Sequence, residues 1–255
     1  PSRASPYPQG WRARRCYPQG ACGQLTARAG RAHDGAMKSS LPSPDPLALP
    51  DGLTLCDDGL VRPTWASHDA LLRSYYDTEW GMPVHDEAGV YERLALEGFQ
   101  AGLSWRTVLA KRDSFREAFA GFSPDAVAAF TDADVERLAS NPSIIRNRRK
   151  IEAAIANARA TIELRVAQSA CPSSAGPSHL GELVWSYRGG PDPRPTCASD
   201  VPSQTPESIA LAADLKARGF RFVGPTTMLA LMAAIGIVNT DIVGTHRRPA
   251  REDHR

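Results

Sequence analysis

From Trp65 to about residue 248 the sequence sets down one helix signal after another and almost no alternating stretch, so its periodicity supports a helical fold. Ser67 with Asp69 behind it reads as a helix start, and Leu71, Leu72, Tyr75 and Tyr76 repeat at helical spacing. Asp86 can cap a helix carrying Val90, Leu94 and Leu96 that breaks at Gly98 or Gly102. Trp105 to Phe119 reads as helical. Ser123-Pro124 is a cap followed by a proline at the first helical position, and Thr131 caps ADVERLA. Ile144 to Val166 looks like one long helix with an alanine stripe. Pro206 to Arg218 stops at Gly219, and Pro225 opens an apolar helix ending at Gly236. Residues 169–179 and 189–206 read as Pro/Ser/Gly loops. The expected fold class is therefore all-α.

Residues 1–60 are different. They are rich in Pro, Gly, Ala, Ser and Arg, with basic patches at WRARR and ARAGRA. Such a segment buries too little apolar surface to offset its chain entropy and reads as a disordered basic tail. Alternatives are a basic arm that helps hold DNA, or a natural start at Met37 with no role for what precedes it. A helical domain at 61–248 and a disordered tail at 249–255 complete the expected organisation.

No run of about 18 apolar residues exists, so no membrane span is expected. No secretory leader is visible, which makes the cytoplasm the expected compartment. Five scattered cysteines without a CxxC pair argue against a disulfide framework and against a standard zinc module. The net charge of +2 is too mild to prove a nucleic-acid partner, although local clustering can still build a phosphate-binding face.

The stretch LEGFQAGLSW places Glu97 and Gln100 inside an apolar segment. A buried carboxylate costs several kcal/mol unless backbone N–H groups, a protein cation or a ligand repay it. Glu97 either caps a neighbouring helix or waits for a ligand. Trp65, Tyr75, Trp80, Phe99 and Trp105 lie close by in sequence. Aromatic rings around a carboxylate suit a flat, cationic, hydrogen-bonding molecule, for which a positively charged purine qualifies. In NPSIIRNRRK a short turn leads into Arg146, Arg148, Arg149 and Lys150 at a helix start. This is either a phosphate cradle or a solvated basic face. Gly224-Pro225-Thr226 offers a second turn with open N–H groups, or simply a tight core turn.

YYDTEWGMPVHDE, LEGFQAGLSWRTVLAKRDSFREAF, IIRNRRKIEAAIANARA, GELVWSY and ARGFRFVGPTTMLALMAAIGIVN together resemble the 3-methyladenine DNA glycosylase I family from about Trp65 to Val243. The resemblance implies a helix-hairpin-helix glycosylase fold and a monofunctional enzyme. Its implied action is to flip N3-methyladenine out of double-stranded alkylated DNA and excise it, starting base excision repair. A non-enzymatic lesion-binding module on the same scaffold is the alternative. Carried over by position, Glu97 is the pocket acid, Tyr75 and Trp105 stack on or wall the base, Trp65 borders the pocket, and Gln100 lies beside it. Gly102 and Leu103 match the loop that fills the gap left by the flipped nucleotide. The turn at Asn141 to Ile145 takes the place of the hairpin that grips the backbone. A monomer is expected.

Three departures bear on chemistry. The family usually has a zinc clip of two Cys and two His; the corresponding residues here are Pro63, Tyr76, Asp241 and Thr245. Zinc prefers thiolate and imidazole, so no metal or other cofactor is expected. Leu72 stands where the family often has a pocket Tyr, and Ser143 and Arg149 replace hairpin glycines. A wider pocket, stronger nonspecific DNA binding and greater salt sensitivity follow as expectations.

Overall fold

The structure is a computed structural model, and it describes residues 49–170 and 176–249. The expectations for residues 1–48, for Cys16, Cys22 and Cys171, and for residues 250–255 lie outside the described residues. Among the described residues, ten α-helices follow a small β-hairpin. Residues 49–60, placed in the tail by composition, include the first strand of that hairpin. Strand β1 (Leu53–Leu55) pairs antiparallel with β2 (Val61–Pro63), Leu53 opposite Pro63 and Leu55 opposite Val61. Three-residue strands carry no measurable alternation, which is why the hairpin is silent in the sequence.

Most helix boundaries follow local chemistry. Helix α1 (Ala70–Thr78) is capped by Asp69, whose side chain accepts from the amides of Leu71 and Leu72. Ser67, the sequence-based cap, instead closes the preceding turn on the Thr64 carbonyl. Asp86 caps α2 (Glu87–Gln100) by accepting from the Gly89 amide at 2.7 Å. The expected helix at 105–119 is broken at Ala110 and Lys111 into α3 (Trp105–Leu109) and α4 (Arg112–Ala118). Helix α5 (Pro124–Ala128) has Ser123 as cap, and α6 (Asp132–Ser140) has a capping box between Thr131 and Asp134. The long α7 (Arg148–Ala170) starts four residues after Ile144. Helices α8 (Leu180–Trp185), α9 (Pro206–Ala217) and α10 (Pro225–Ala234) complete the domain.

Helix α10 is apolar all round and sits in the core, with Met228, Leu231 and Met232 fully buried. Helices α2, α7, α8 and α9 pack with it through Leu94, Phe99, Ile151, Leu180 and Leu211. The buried Tyr91 hydroxyl donates to the Ala154 carbonyl at 2.9 Å and ties α2 to α7. No helix among the described residues is long and apolar enough to cross a membrane.

Candidate active site

Glu97 lies in the last turn of α2, and α2 runs straight through Gly98 before ending at Gln100. Its carboxyl group is 4% exposed and makes no hydrogen bond or ion pair among the described residues. The capping role is thereby excluded; the helix caps are made by Asp69, Asp86, Ser104, Ser123, His179 and Thr205 among others. Burial alone pushes the Glu97 pKa up to about 8. The carboxyl is desolvated, and no protein cation repays the cost.

A row of rings runs from Tyr75 to the surface. The Tyr75 hydroxyl is pushed above its ordinary value first by burial and then by the charge of Glu97, so the two groups interact electrostatically. Tyr75 lies 5.4 Å from Trp105 and 6.1 Å from Trp80, centroid to centroid. Trp80 continues at 5.7 Å to Trp65, which is 43% exposed. Trp80, absent from the site assigned by resemblance, thus bridges two residues that are in it. The buried Trp105 indole N–H has no acceptor among the described residues. Glu97 and Trp105 thus leave one acceptor and one donor unpaired, the two kinds of group that a hydrogen-bonding ring ligand needs. Leu72 stands half-buried one turn before Tyr75 and Tyr76.

Beyond Glu97 the chain turns sharply. Gln100 is half-buried, and its carbonyl accepts from the Leu103 amide at 2.6 Å. Gly102 takes φ +79°, a left-handed conformation that a side chain would strain. The turn leaves Leu103 42% exposed, an apolar side chain held in solvent three residues beyond the end of α2. Ser104 then caps α3 through the Thr107 amide.

The two helix-turn-helix units differ in what they leave open. In the α6–α7 turn, Ser143 N–H donates to the Asn141 side chain and the Pro142 and Ser143 carbonyls accept from Lys111. Ile145 packs half-buried against the core. Arg146 and Arg149 are exposed and make no ion pair among the described residues, whereas Arg148 is held by Glu136 at 2.5 Å. Lys150 corrects the sequence reading. It is 8% exposed, and its ammonium donates to the carbonyls of Phe99 at 2.8 Å and Ala101 at 2.6 Å. It faces inward because α7 turns that position toward the end of α2, so it is unavailable to a phosphate. In the α9–α10 turn, Gly224 and Thr226 are exposed, and the N–H groups of Phe222, Val223, Gly224, Thr226 and Thr227 find no acceptor among the described residues. Together with the α10 N-terminus they form the more open cradle for an anion.

The zinc-clip positions do not fit a metal. Tyr76 is fully buried with its ring edge-on to Trp65, Thr245 is buried, Pro63 is in β2, and the Asp241 carbonyl accepts from Arg248. Among the described residues no three His, Cys, Asp or Glu side chains group so as to hold an ion. Cys56 and His246 lie near the clip positions in sequence but face other partners. The His246 ring faces the Val61 carbonyl and Asp77, and the Cys56 thiol faces the Thr54 carbonyl.

The profile of the methyladenine glycosylase family matches residues 65–248. DNA-3-methyladenine glycosylase 1 of Escherichia coli (strain K12) is 43% identical over 188 residues, which are 72% of this chain and 95% of the relative. A crystal structure of 3-methyladenine DNA glycosylase I, also 43% identical, superposes with a TM-score of 0.65 over 72% of this chain and 97% of that one. The Staphylococcus aureus enzyme, solved to explain its recognition of 3-methyladenine, is 32% identical with a TM-score of 0.64, covering 72% and 94%.

Proposed function

The chain belongs to the methyladenine glycosylase family, and from that premise we propose how its own residues carry out the reaction. It is a DNA glycosylase that removes 3-methyladenine from alkylated DNA. The observation that carries the residue assignment is Glu97, a carboxyl buried without a hydrogen bond or ion pair among the described residues, whose charge is felt by Tyr75, itself packed on Trp105.

An adenine alkylated at N3 is cationic while still bonded to its sugar, so it leaves as a neutral base and needs little acid assistance. The work lies in extruding it, at a few kcal/mol of unstacking. Leu103 takes the vacated space in the duplex, and the rings of Tyr75 and Trp105 receive the flipped base. Glu97 accepts an N–H of the base and lends negative potential to the oxocarbenium that forms as the glycosidic bond breaks. Gln100 and Trp65 border the pocket.

None of Asp125, Asp132, Asp134 and Asp241 takes the place of a water-activating base. Asp125 is paired with Arg165, Asp134 caps α6, Asp132 is exposed at the α6 N-terminus, and Asp241 lies at the far clip. The exposed Arg146 and Arg149, with the open N–H groups around Gly224 and Thr226, hold the phosphate backbone of double-stranded DNA. The enzyme works as a monomer without zinc. Leu72, lacking the bulk and hydroxyl of a tyrosine, widens the pocket toward other N3- and N7-alkylpurines.

Incubation with methylated DNA and chromatography of the freed bases tests this reading. Release of 3-methyladenine, lost in Glu97→Gln while DNA affinity persists, is the expected result. DNA binding by the wild type with no base released would instead support a lesion-binding module. Release confined to 3-methyladenine when 7-methylguanine and a bulkier adduct are offered would reject the widened pocket.

A further inference from the structure

Two buried polar side chains on one face of α7 have no part in the chemistry above. Lys150 spends its ammonium on two carbonyls, those of Phe99 and Ala101, at the end of α2. Asn157 is 3% exposed and clamps the backbone of Arg221 from both sides. Its amide donates to the Arg221 carbonyl at 3.1 Å, and its own oxygen accepts the Arg221 N–H at 2.7 Å. The two residues are seven apart, two helical turns or about 10 Å along α7. Between them lies a narrow crevice lined by Leu94, Gly98, Ala153 and Phe222. Phe222 is held at φ +57° with its ring 40% exposed, a strained conformation for a side chain with a Cβ. A Cβ on Gly98 would lie 3.6 Å from that of Phe222, so the α9–α10 turn rests directly on the helix that carries Glu97.

Stability alone does not account for these residues. A buried ammonium that finds only carbonyls, and a buried amide in mid-helix, are costlier choices than aliphatic side chains of the same size. Each, however, fixes a backbone segment that faces DNA: Lys150 the turn presenting Leu103, Asn157 the turn opening the α10 N-terminus. We propose that α7 acts as a ruler between the base-extruding loop and the backbone-gripping turn, with Lys150 and Asn157 as the positioning residues that set their spacing. The proposal rests on the pocket assigned above but makes neither residue part of it.

The test measures Lys150→Met and Asn157→Leu on two substrates. One is a fully paired duplex carrying 3-methyladenine; the other carries the same lesion opposite an abasic site, where extrusion costs less. Binding of free 3-methyladenine is followed separately by quenching of tryptophan fluorescence. Each variant is expected to lose about 10–100-fold in kcat/KM on the paired duplex. Most of that loss should disappear on the unpaired lesion, and free-base binding should be unchanged. The double variant should lose no more than the worse single, since both residues set one distance. Equal losses on both substrates, weakened free-base binding or fully additive losses would overturn the ruler. Lys150→Arg and Asn157→Asp cover the event that the larger changes prevent folding. Arg keeps a donor, and Asp keeps the acceptor for Arg221 while losing the donor, so both should show the same substrate pattern at smaller size. A wild type that neither binds the free base nor releases it sinks the pocket assignment instead.

Discussion

Glu97 shows how a single side chain can cost the fold something and still be kept. Its pKa rises from 4.5 to about 8 because burial disfavours the charge. The folded protein therefore holds the proton more tightly than the unfolded chain. Below pH 4.5 both states are protonated and stability is undiminished. As pH climbs toward 8 the unfolded chain ionises first and stability falls, by up to about 1.4 kcal/mol per pH unit. Glu97→Gln cannot titrate, so urea unfolding at pH 5 and pH 8 should show a smaller decline in the variant than in the wild type. The kinetics should run the other way. A cationic base is received by the carboxylate, so kcat/KM of the wild type should rise with pH up to about 8, where the free enzyme's group titrates. Glu97→Gln should lack that rise and lie lower by about 10²–10³-fold. An unchanged pH profile in the variant would remove Glu97 from the reaction. The sequence made this residue conspicuous because a carboxylate in an apolar run invites explanation. It could not choose between cap and pocket, since that depends on which groups from other elements approach it.

At the scale of elements, the parts legible in the sequence are those governed by neighbouring residues. Asp86, Ser123 and Thr131 cap the helices that their positions announce, and Gly219 and Gly236 end theirs. Burial within a charged run was not legible, because it depends on what the helix packs against. Arg146, Arg148, Arg149 and Lys150 look alike in sequence, yet they meet three different fates: solvent for Arg146 and Arg149, Glu136 for Arg148, the core for Lys150. Nor could spacing rank the two helix-turn-helix units, since the pairing of their backbone groups depends on long-range partners: Lys111 donates to the Pro142 and Ser143 carbonyls, and Asn157 accepts the Arg221 N–H. DNA-binding isotherms against salt should separate the cations. Arg149→Ala should lower the slope of log K against log salt by about 0.9, the amount for one lost phosphate contact. Arg148→Ala should lower it by less, because Glu136 already shares that charge, and Lys150→Met should leave the slope unaltered. Equal slopes for Arg149→Ala and the wild type would place the α6–α7 turn away from the DNA.

Across the whole molecule, the positions that the resemblance matches to a zinc clip lie among buried arginines joining distant parts of the chain. Arg62 in β2 is 2% exposed and hydrogen-bonds both Asp58 and Asp77 at 2.7–3.2 Å. The Arg62 guanidinium holds the Asp58 carboxyl well below the ordinary carboxylate range. The His246 amide and ring both meet the Val61 carbonyl, and Arg247 grips the Tyr76 carbonyl while lying over its ring. Arg248 does the same for the carbonyls of Asp241 and Pro193. Such a clip has the same topological effect as a metal, because it fastens the last described residues to β2 and α1. It differs in its vulnerability. A zinc clip fails when ligands are protonated or the ion is chelated, whereas a buried arginine fails when one of its acceptors is removed. The melting temperature and the rate of base release should therefore be unchanged by a strong chelator, and zinc analysis of the purified protein should find no stoichiometric metal. Arg62→Ala, which leaves the Asp58 and Asp77 carboxylates without their shared guanidinium, should lower stability in urea unfolding, by less than stranding a fully buried charge because both carboxylates reach solvent. Because Arg62, Asp58 and Asp77 are not among the residues assigned to the pocket, the variant should still release base at temperatures where it remains folded. Loss of stability on chelation, or an Arg62→Ala protein as stable as the wild type, would show that these arginines do not do the metal's work.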